Sequence, residues 1–148
     1  MRRLLFCVTA LQCLINTAIA GPMDFQSVAN TAILYDAPSV QGKKMFVILK
    51  GTPVEVIVQA DKWAKVRDAN GGFNWLEKQN LTTTRTVIVS ASKAEIKEKP
   101  DSNARIIFSA EKDVILEKLD SPTENGWIKV RHKDGETGFV RTNTVWGM

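Results

Sequence analysis

Few side chains in this sequence could carry out covalent chemistry. The chain has two cysteines, Cys7 and Cys13, and one histidine, His132, which lies between Arg131 and Lys133. Hydrolases use a nucleophile beside a base, or a metal ion held by several ligands, and a lone histidine without a carboxylate cluster provides neither. The Asp and Glu residues are scattered through turns and among lysines, as on a solvated face. We therefore predict a non-enzymatic protein with no catalytic residue, no metal site and no cofactor, in which His132 is exposed to solvent.

Aromatic residues next to charged ones are more informative. Trp63 begins the segment Trp63-Ala64-Lys65-Val66-Arg67, whose alternation is typical of a β-strand. Successive side chains of a strand point to opposite faces, so Ala64 and Val66 are predicted to be buried, and Trp63 shares the outer face with Lys65 and Arg67. A tryptophan on a charged face either packs against another part of the protein or takes part in recognition.

The same pattern occurs twice in the chain. The segment Trp127-Ile128-Lys129-Val130-Arg131 repeats the first one, with Ile128 and Val130 predicted to be buried, and a glycine turn and an aromatic strand follow each copy. Matching positions lie 64 residues apart: Trp63 and Trp127, Val66 and Val130, Gly71 and Gly135, and Trp75 and Phe139. A spacing shared by several features in the same order indicates two structural units.

Short strands separated by turns account for most of the remaining sequence. Runs rich in branched residues occur at 45–49, 54–58, 105–108 and 114–118, and proline, aspartate and serine residues mark the turns between them. No segment has a sustained apolar period of 3.6 residues. These features predict an all-β chain made of two tandem small barrels, with the polar segment 80–85 as the linker.

The first twenty residues have the composition of a secretion signal. Arg2 and Arg3 precede a short, mostly apolar run that ends at Ala18-Ile19-Ala20. A basic start, a short apolar run and a small-residue end are typical of a cleaved signal, and the run is too short to span a membrane. We predict cleavage after Ala20, export to the periplasm or the medium, and a mature chain without cysteine or transmembrane segment. Of the 20 basic residues, 18 then remain beside 16 acidic ones without forming a basic stripe, which argues against a nucleic-acid partner.

In their order, these features resemble bacterial Src-homology-3-like (SH3-like) domains in two tandem copies. The resemblance is carried by segments 32–39, with Tyr35, and 50–56, then by the Trp-x-Lys-Val-Arg strand and the glycine turn with its aromatic strand. The second copy lacks the tyrosine and has Glu111 in place of Gly51. The resemblance covers about residues 28–148 and implies domains at 28–82 and 83–148, each a barrel of five or six strands. It also implies a non-catalytic module that binds peptides or cell-wall material, or that holds partner proteins.

Five aromatic residues are candidates for ligand binding: Tyr35, Trp63, Trp75, Trp127 and Phe139. In one interpretation, Tyr35, Trp63 and Trp75 line a groove suited to proline-rich peptides or sugar rings. In the other, the tryptophans and Phe139 cap the barrels or fill a seam between them, because a unit of about 60 residues buries only about 60% of its unfolded surface. Trp146 is predicted to pack on the second unit.

The predicted function follows from the secretion signal, the resemblance and these aromatic residues. We predict an exported tandem SH3-like module that binds a peptide or a peptidoglycan fragment in the bacterial envelope, chiefly through its first unit. The alternative is a scaffold protein whose two barrels pack on an envelope protein. A cell-wall hydrolase is a third hypothesis, which the lack of a nucleophile or metal site disfavours.

Overall fold

Short runs of branched and aromatic residues, separated by turns, form fourteen strands in the computed structural model, which describes residues 23–148. The predicted secretion signal, residues 1–20, lies outside the described residues. The described part of the chain contains no α-helix, only two 3-10 turns, as the lack of a helical period predicts. The strands belong to two seven-stranded antiparallel sheets. The predicted all-β fold of two tandem units is confirmed.

The first unit has the strand order β3-β2-β6-β5-β4-β1-β7. A 3-10 turn at Lys78–Asn80 joins its sixth and seventh strands. The strands are β1 (Asp24–Val28), β2 (Ala32–Tyr35), β3 (Lys44–Ile48), β4 (Pro53–Ala60), β5 (Trp63–Arg67), β6 (Phe73–Glu77) and β7 (Leu81–Thr82).

The second unit repeats this plan with the order β10-β9-β13-β12-β11-β8-β14. Its 3-10 turn, Thr142–Thr144, occupies the corresponding place before the last strand. The strands are β8 (Thr86–Val89), β9 (Lys93–Lys97), β10 (Ile106–Glu111), β11 (Ile115–Lys118), β12 (Trp127–Arg131), β13 (Thr137–Arg141) and β14 (Val145–Trp146).

Each unit has seven strands, not the predicted five or six. The additional pairing comes from the two-residue strands β7 and β14, which pair with β1 and β8. Leu81 and Thr82, which the sequence placed in the linker, therefore belong to the first sheet, and only residues 83–85 separate the two sheets. Within residues 23–148, strand pairing does not close either sheet into a barrel.

The predicted alternation of side chains is confirmed in both units. Ala64 and Val66 in β5, and Ile128 and Val130 in β12, are buried in two separate apolar cores. Branched side chains dominate both cores because they fit a pleated, half-buried surface. The first core contains Val28, Leu34, Ile48, Val54, Ala64, Val66 and Leu76, and the second contains Val87, Val89, Ala94, Ile96, Ala110, Leu116, Ile128, Val130, Val140 and Val145.

The repeated glycine turn shapes the hairpins that follow β5 and β12. Gly71 and Gly135 have φ angles of +85° and +92°, in the left-handed region that favours glycine. In the first hairpin, the Asp68 carboxylate accepts hydrogen bonds from the backbone N–H groups of Asn70 (2.8 Å) and Gly72 (3.0 Å). The acidic-glycine sequence therefore sets the turn locally, and the turn sets the register of the two strands.

A seam joins the units, and it involves other aromatic residues than the sequence predicted. The rings of Phe25 in β1 and Trp146 in β14 meet edge to face, with centroids 5.0 Å apart. The backbone of Trp146 does pair with β8 of the second unit, at Ile88, but its side chain packs on the first unit. The prediction that Trp146 packs on its own unit is therefore wrong for the side chain.

Buried hydrogen bonds cross the same seam. The Thr86 hydroxyl donates to the Gly51 carbonyl (2.6 Å) and lies 2.6 Å from the Ser27 hydroxyl. Because the single proton of Thr86 is directed at Gly51, the hydroxyl of Ser27 donates to Thr86. Ser27 and Thr86 are both buried, so these bonds satisfy groups that water does not reach.

Gly147 brings the end of the chain close to the first unit. Its φ is +109°, and a Cβ atom at this position would lie 2.8 Å from the Cβ of Pro53 and 2.9 Å from the carbonyl oxygen of Thr86. The Gly147 carbonyl accepts a hydrogen bond from Nη2 of Arg85 (2.9 Å). The guanidinium carbon of Arg85 lies 5.8 Å from the centroid of the Phe25 ring. Residues from both ends of the described chain thus complete the seam.

Candidate functional site

A surface cleft of about 640 Å³ lies on the first unit, and we call it the first cleft. Three chain segments form it: the connection between β2 and β3, the start of β5, and the end of β6 with the 3-10 turn. Its lining residues are Pro38, Ser39, Val40, Lys62, Trp63, Glu77, Lys78 and Gln79.

Local hydrogen bonds hold these segments in place. In the β2–β3 connection, the Asp36 carboxylate accepts a hydrogen bond from the backbone of Lys43 (2.8 Å), which closes the loop that carries the proline and valine of the cleft. The backbone N–H of Lys78 donates to the Lys62 carbonyl (2.8 Å). Trp63 and Glu77 are direct partners across β5 and β6. The cleft is thus built on paired backbone as well as on a loop.

The structure places the three groove candidates of the first unit differently. Trp63 is half-buried and lines the first cleft. Tyr35 is buried, with 9% of its surface exposed, and its ring meets that of Trp63 edge to face with centroids 5.4 Å apart. Trp75 is half-buried on β6, where its backbone is opposite Lys65, but it is not among the lining residues. Trp63 therefore lines the cleft, Tyr35 packs against the Trp63 ring and holds it in place, and Trp75 lies outside the cleft.

The first cleft combines apolar surface with few charges. The indole of Trp63 lies near Pro38 and Val40, and the charged groups are two lysines and the carboxylate of Glu77. Glu77 also accepts a hydrogen bond from the Gln79 side chain. Such a surface suits a ligand with an apolar face and hydrogen-bonding groups, as an extended peptide or a sugar ring has.

A second, smaller cleft of about 350 Å³ lies on the second unit, and we call it the second cleft. Trp127 lines it but is only 3% exposed. The sequence placed Trp127 on the outer face with Lys129 and Arg131, as Trp63 is placed in β5. It is buried nevertheless, because the Arg141 guanidinium lies over its ring, 4.5 Å from the centroid. The lining residues are Lys93, Glu95, Lys97, Ser102, Trp127, Arg141 and Thr144.

Phe139, the second candidate of this unit, does not line the second cleft. It is half-buried on β13, where its backbone is opposite Lys129 of β12 and Lys97 of β9. Trp75 of the first unit is likewise opposite Lys65 and Tyr35. Lys97 therefore occupies the place of Tyr35. The five candidates thus separate into two cleft residues, one supporting residue and two residues outside the clefts.

The most informative cleft residues that the sequence reasoning missed are Glu77 and Arg141. They are 64 positions apart, the same spacing that relates Trp63 to Trp127, and both residues are opposite those tryptophans in the strand register. The repeat spacing therefore contained a signal for them. The loop residues Pro38 and Val40 had no such signal, because their place depends on how the connection folds.

His132 is only partly exposed, whereas the sequence predicted a solvated position. Its side chain is 20% exposed, its Nδ1 lies 2.9 Å from the carboxylate of Asp134, and its ring lies 5.6 Å from that of Phe108. The neighbouring apolar ring accounts for the burial. Among residues 23–148, no group of three His, Cys, Asp or Glu side chains is placed to hold a metal ion. In the same part of the chain, no helix has the length and apolar character needed to cross a membrane.

Comparison with protein families identifies both units. The family model described as "Bacterial SH3 domain" matches residues 28–82 and 91–147. The chain belongs to the bacterial SH3 domain family. The two matched segments contain most strands of the two sheets and the residues that line the first and second clefts, and they account for most of the described chain. The resemblance inferred from the sequence is confirmed, and bacterial SH3 domains are cell-wall binding modules that are typically extracellular or associated with the envelope.

Several solved structures are similar to this bacterial SH3 protein at low sequence identity. NlpC1 from Trichomonas vaginalis is 12% identical with a TM-score of 0.40, and the match covers 91% of this chain and 50% of that one. NlpC2 from the same organism is 14% identical with a TM-score of 0.39, covering 84% and 48%. An NlpC/P60 family protein from Bacillus cereus is 16% identical with a TM-score of 0.39, covering 83% and 56%. The chain thus spans about half the length of these proteins. No curated protein matches it significantly.

Proposed function

We propose that this protein is an exported, non-enzymatic binding protein of the bacterial envelope, and that its first cleft takes a peptide or a peptidoglycan fragment. The observation that carries the proposal is the ring of Trp63, half-buried at the cleft and held edge to face by Tyr35. A rigid aromatic ring offers apolar contact area at low entropic cost. The cell-wall binding character of bacterial SH3 domains and the predicted secretion signal also support it.

Calorimetric titration with soluble muropeptides and with proline-rich peptides tests the first cleft. We expect Trp63→Ala to weaken binding about fivefold or more, because a well-packed aromatic residue contributes about 1–3 kcal/mol at a binding site. Phe73→Ala is the matched control, since this exposed aromatic residue lies outside the first cleft. Equal affinities of the two variants, or no binding of any of these ligands, would refute the proposal.

The non-enzymatic part of the proposal has its own test. Purified sacculi incubated with the protein are expected to release no soluble muropeptides, while a known wall hydrolase releases them under the same conditions. Release that depends on the protein would refute this part and favour the hydrolase hypothesis. For export, the mass of the protein recovered from outside the cytoplasm is expected to correspond to a chain that begins at Gly21.

A second candidate function, scaffolding of another envelope protein, is favoured by the strand β3. This strand is at the edge of the first sheet, and Phe46, Val47 and the following Leu49 are between 61% and 66% exposed. An exposed apolar edge strand is a template for pairing with another chain. In β10, at the equivalent edge of the second unit, only Ile106 is a large exposed apolar residue among those described.

Cross-linking in intact envelopes tests the scaffold function. Val47→Lys is expected to abolish a stoichiometric cross-link to an envelope protein, because a lysine discourages strand pairing at an edge. Ile106→Lys, on the equivalent edge, is the control and should leave the cross-link unchanged. If sedimentation shows instead that Val47→Lys dissolves a dimer of this chain, the edge serves a second copy and the scaffold function is refuted.

A further inference from the structure

The second cleft carries one more net positive charge than the first cleft. Three cations, Lys93, Lys97 and Arg141, line it together with one carboxylate, that of Glu95, whereas the first cleft has two cations and one carboxylate. We propose that the second cleft is a separate site for a carboxylate group of a peptide, provided by a free C-terminus or by an acidic side chain. This site goes beyond the proposed function, which concerns the first cleft.

Ion pairing within the cleft leaves part of this charge uncompensated. Nζ of Lys97 lies 3.6 Å from the Glu95 carboxylate and also donates to the carbonyl of Ser102. In the described part of the chain, no carboxylate pairs with Lys93 or Arg141. The cleft therefore has a net positive charge and attracts anions.

Arg141 is held in one orientation before any ligand arrives. Its guanidinium lies over the Trp127 ring, and its Nη2 donates a hydrogen bond to the Ser102 hydroxyl. A guanidinium has five N–H donors, and two adjacent ones bind the two oxygens of a carboxylate in parallel. Because the group is already oriented, binding loses less side-chain entropy than it would with a mobile arginine.

The surroundings of Arg141 strengthen the attraction between its guanidinium and a ligand carboxylate. Trp127 is buried beneath the guanidinium, so one face of the charged group is shielded from water. Charge interactions are stronger where water is partly excluded. The cleft has about half the volume of the first one, which suffices for a carboxylate with its adjoining residue but not for a long extended segment.

The first unit provides the matched comparison. Glu77 takes the place of Arg141 and Tyr35 the place of Lys97, so a negative and a neutral side chain stand where the second unit has two cations. The equivalent position beside Trp63 therefore repels a carboxylate. Carboxylate binding is predicted to be a property of the second unit alone.

Calorimetry with three peptides of one sequence tests the site, using the full chain with the Trp63→Ala substitution so that the first cleft is weakened. The peptides have a free C-terminal carboxylate, an amidated C-terminus, or an amidated C-terminus with an internal glutamate. We expect the free acid or the glutamate peptide to bind about tenfold or more tightly than the plain amide, and the stronger of the two identifies the source of the carboxylate. This advantage should shrink at high salt, because the site is open to solvent.

Matched variants assign the effect to Arg141. Arg141→Gln is expected to remove the preference for the carboxylate peptides, and Arg141→Lys to keep only part of it, because lysine has the charge without the planar pair of donors. Arg105→Gln, at an exposed arginine of the same unit that lines neither cleft, should leave the preference unchanged. Equal binding of acid and amide peptides by the chain, a preference that survives Arg141→Gln with both proteins folded, or tighter binding of inorganic phosphate than of the acid peptides would each overturn the proposal.

Discussion

Trp63 and Trp127 begin equivalent strands of the two units, yet their surroundings differ. Trp63 is half-buried, is supported from below by Tyr35 and is open to a cleft of about 640 Å³ with a carboxylate beside it. Trp127 is buried under the Arg141 guanidinium in a smaller cleft with more cations. The same residue at the same place is thus a contact surface in one unit and a support for a charged group in the other.

The comparison shows at which positions the residues of a duplicated fold can differ between its two copies. Positions at the centre of the two apolar cores keep the same character, as Val66 and Val130 do, because a change in core volume costs stability directly. Positions outside the cores, such as 77 and 141, can change the sign of their charge at little cost to folding. The two units therefore share a core and differ in what their surfaces can bind.

The seam also breaks the repeat. Phe25 and Thr86 are equivalent, since each is opposite the glutamate of a repeated Glu–Arg pair, Glu55 or Glu117. Trp146 is likewise equivalent to Thr82, because both end the last strand of their sheets. Each seam aromatic residue thus has a threonine at the corresponding place of the other unit.

The largest effect is expected from Trp146→Ala. The substitution removes the edge-to-face contact with Phe25, and we expect the free energy of unfolding to fall by about 2–3 kcal/mol, toward the low end for a large aromatic residue because Trp146 is only half-buried. Urea denaturation measures the change. Thr82→Ala, at the equivalent position, should cost less than about 0.5 kcal/mol. Similar losses for the two variants would show that the seam adds no stability.

A smaller effect is expected at the repeated Glu–Arg pair. Glu55 is buried beside Arg67, whereas the Glu117–Arg131 pair, at 2.7 Å, is more exposed on both sides. Glu55→Gln is expected to destabilise the fold by about 1–3 kcal/mol, since it weakens a charged hydrogen bond out of reach of bulk water. Glu117→Gln should cost less than about 1 kcal/mol, as exposed pairs do. The order of the two denaturation midpoints checks this, and a reversed order would contradict it.

The smallest effect on stability is expected from Glu77→Arg, which places in the first cleft the residue type that Arg141 provides in the second cleft. Because Glu77 is at the surface of a cleft, the free energy of unfolding should change by no more than about 0.5 kcal/mol. The ratio of affinities for acid and amide peptides should nevertheless rise a few-fold, since a repulsive charge becomes an attractive one. An unchanged ratio would mean that the charge at this position does not distinguish the two clefts.

Most of the fold could be predicted from the sequence, because alternation and turn chemistry are local. The strands that begin at Trp63 and Trp127 lie as expected, as do their buried valines. The predicted linker was too long, since the two-residue strand at Leu81–Thr82 gains its stability from pairing with a distant segment. Pairing of that kind leaves little trace in such a short polar stretch.

The candidate sites could be predicted only in part. The importance of Trp63 and Trp127 follows from their place on charged faces, but the burial of Trp127 depends on the conformation of Arg141, fourteen residues away. The aromatic residues of the seam were missed because Phe25 and Trp146 have no aromatic counterpart in the repeat, so a search for duplicated features passes over them. A comparison of repeated positions does not reveal contacts that occur in only one of the two units.

The hydrogen bonds of the Thr86 hydroxyl with Ser27 and Gly51 connect the two units across the seam. They therefore limit the distance between groups bound in the two clefts. Because only residues 83–85 separate the sheets and hydrogen bonds cross the seam, we expect the two clefts to keep a nearly constant separation. A polymer long enough to reach both would bind its second end at a high local concentration, and its avidity would exceed the affinity of either end. If both clefts bind as proposed, a fragment too short to span that distance gains nothing, and the protein is expected to discriminate between ligands by their length.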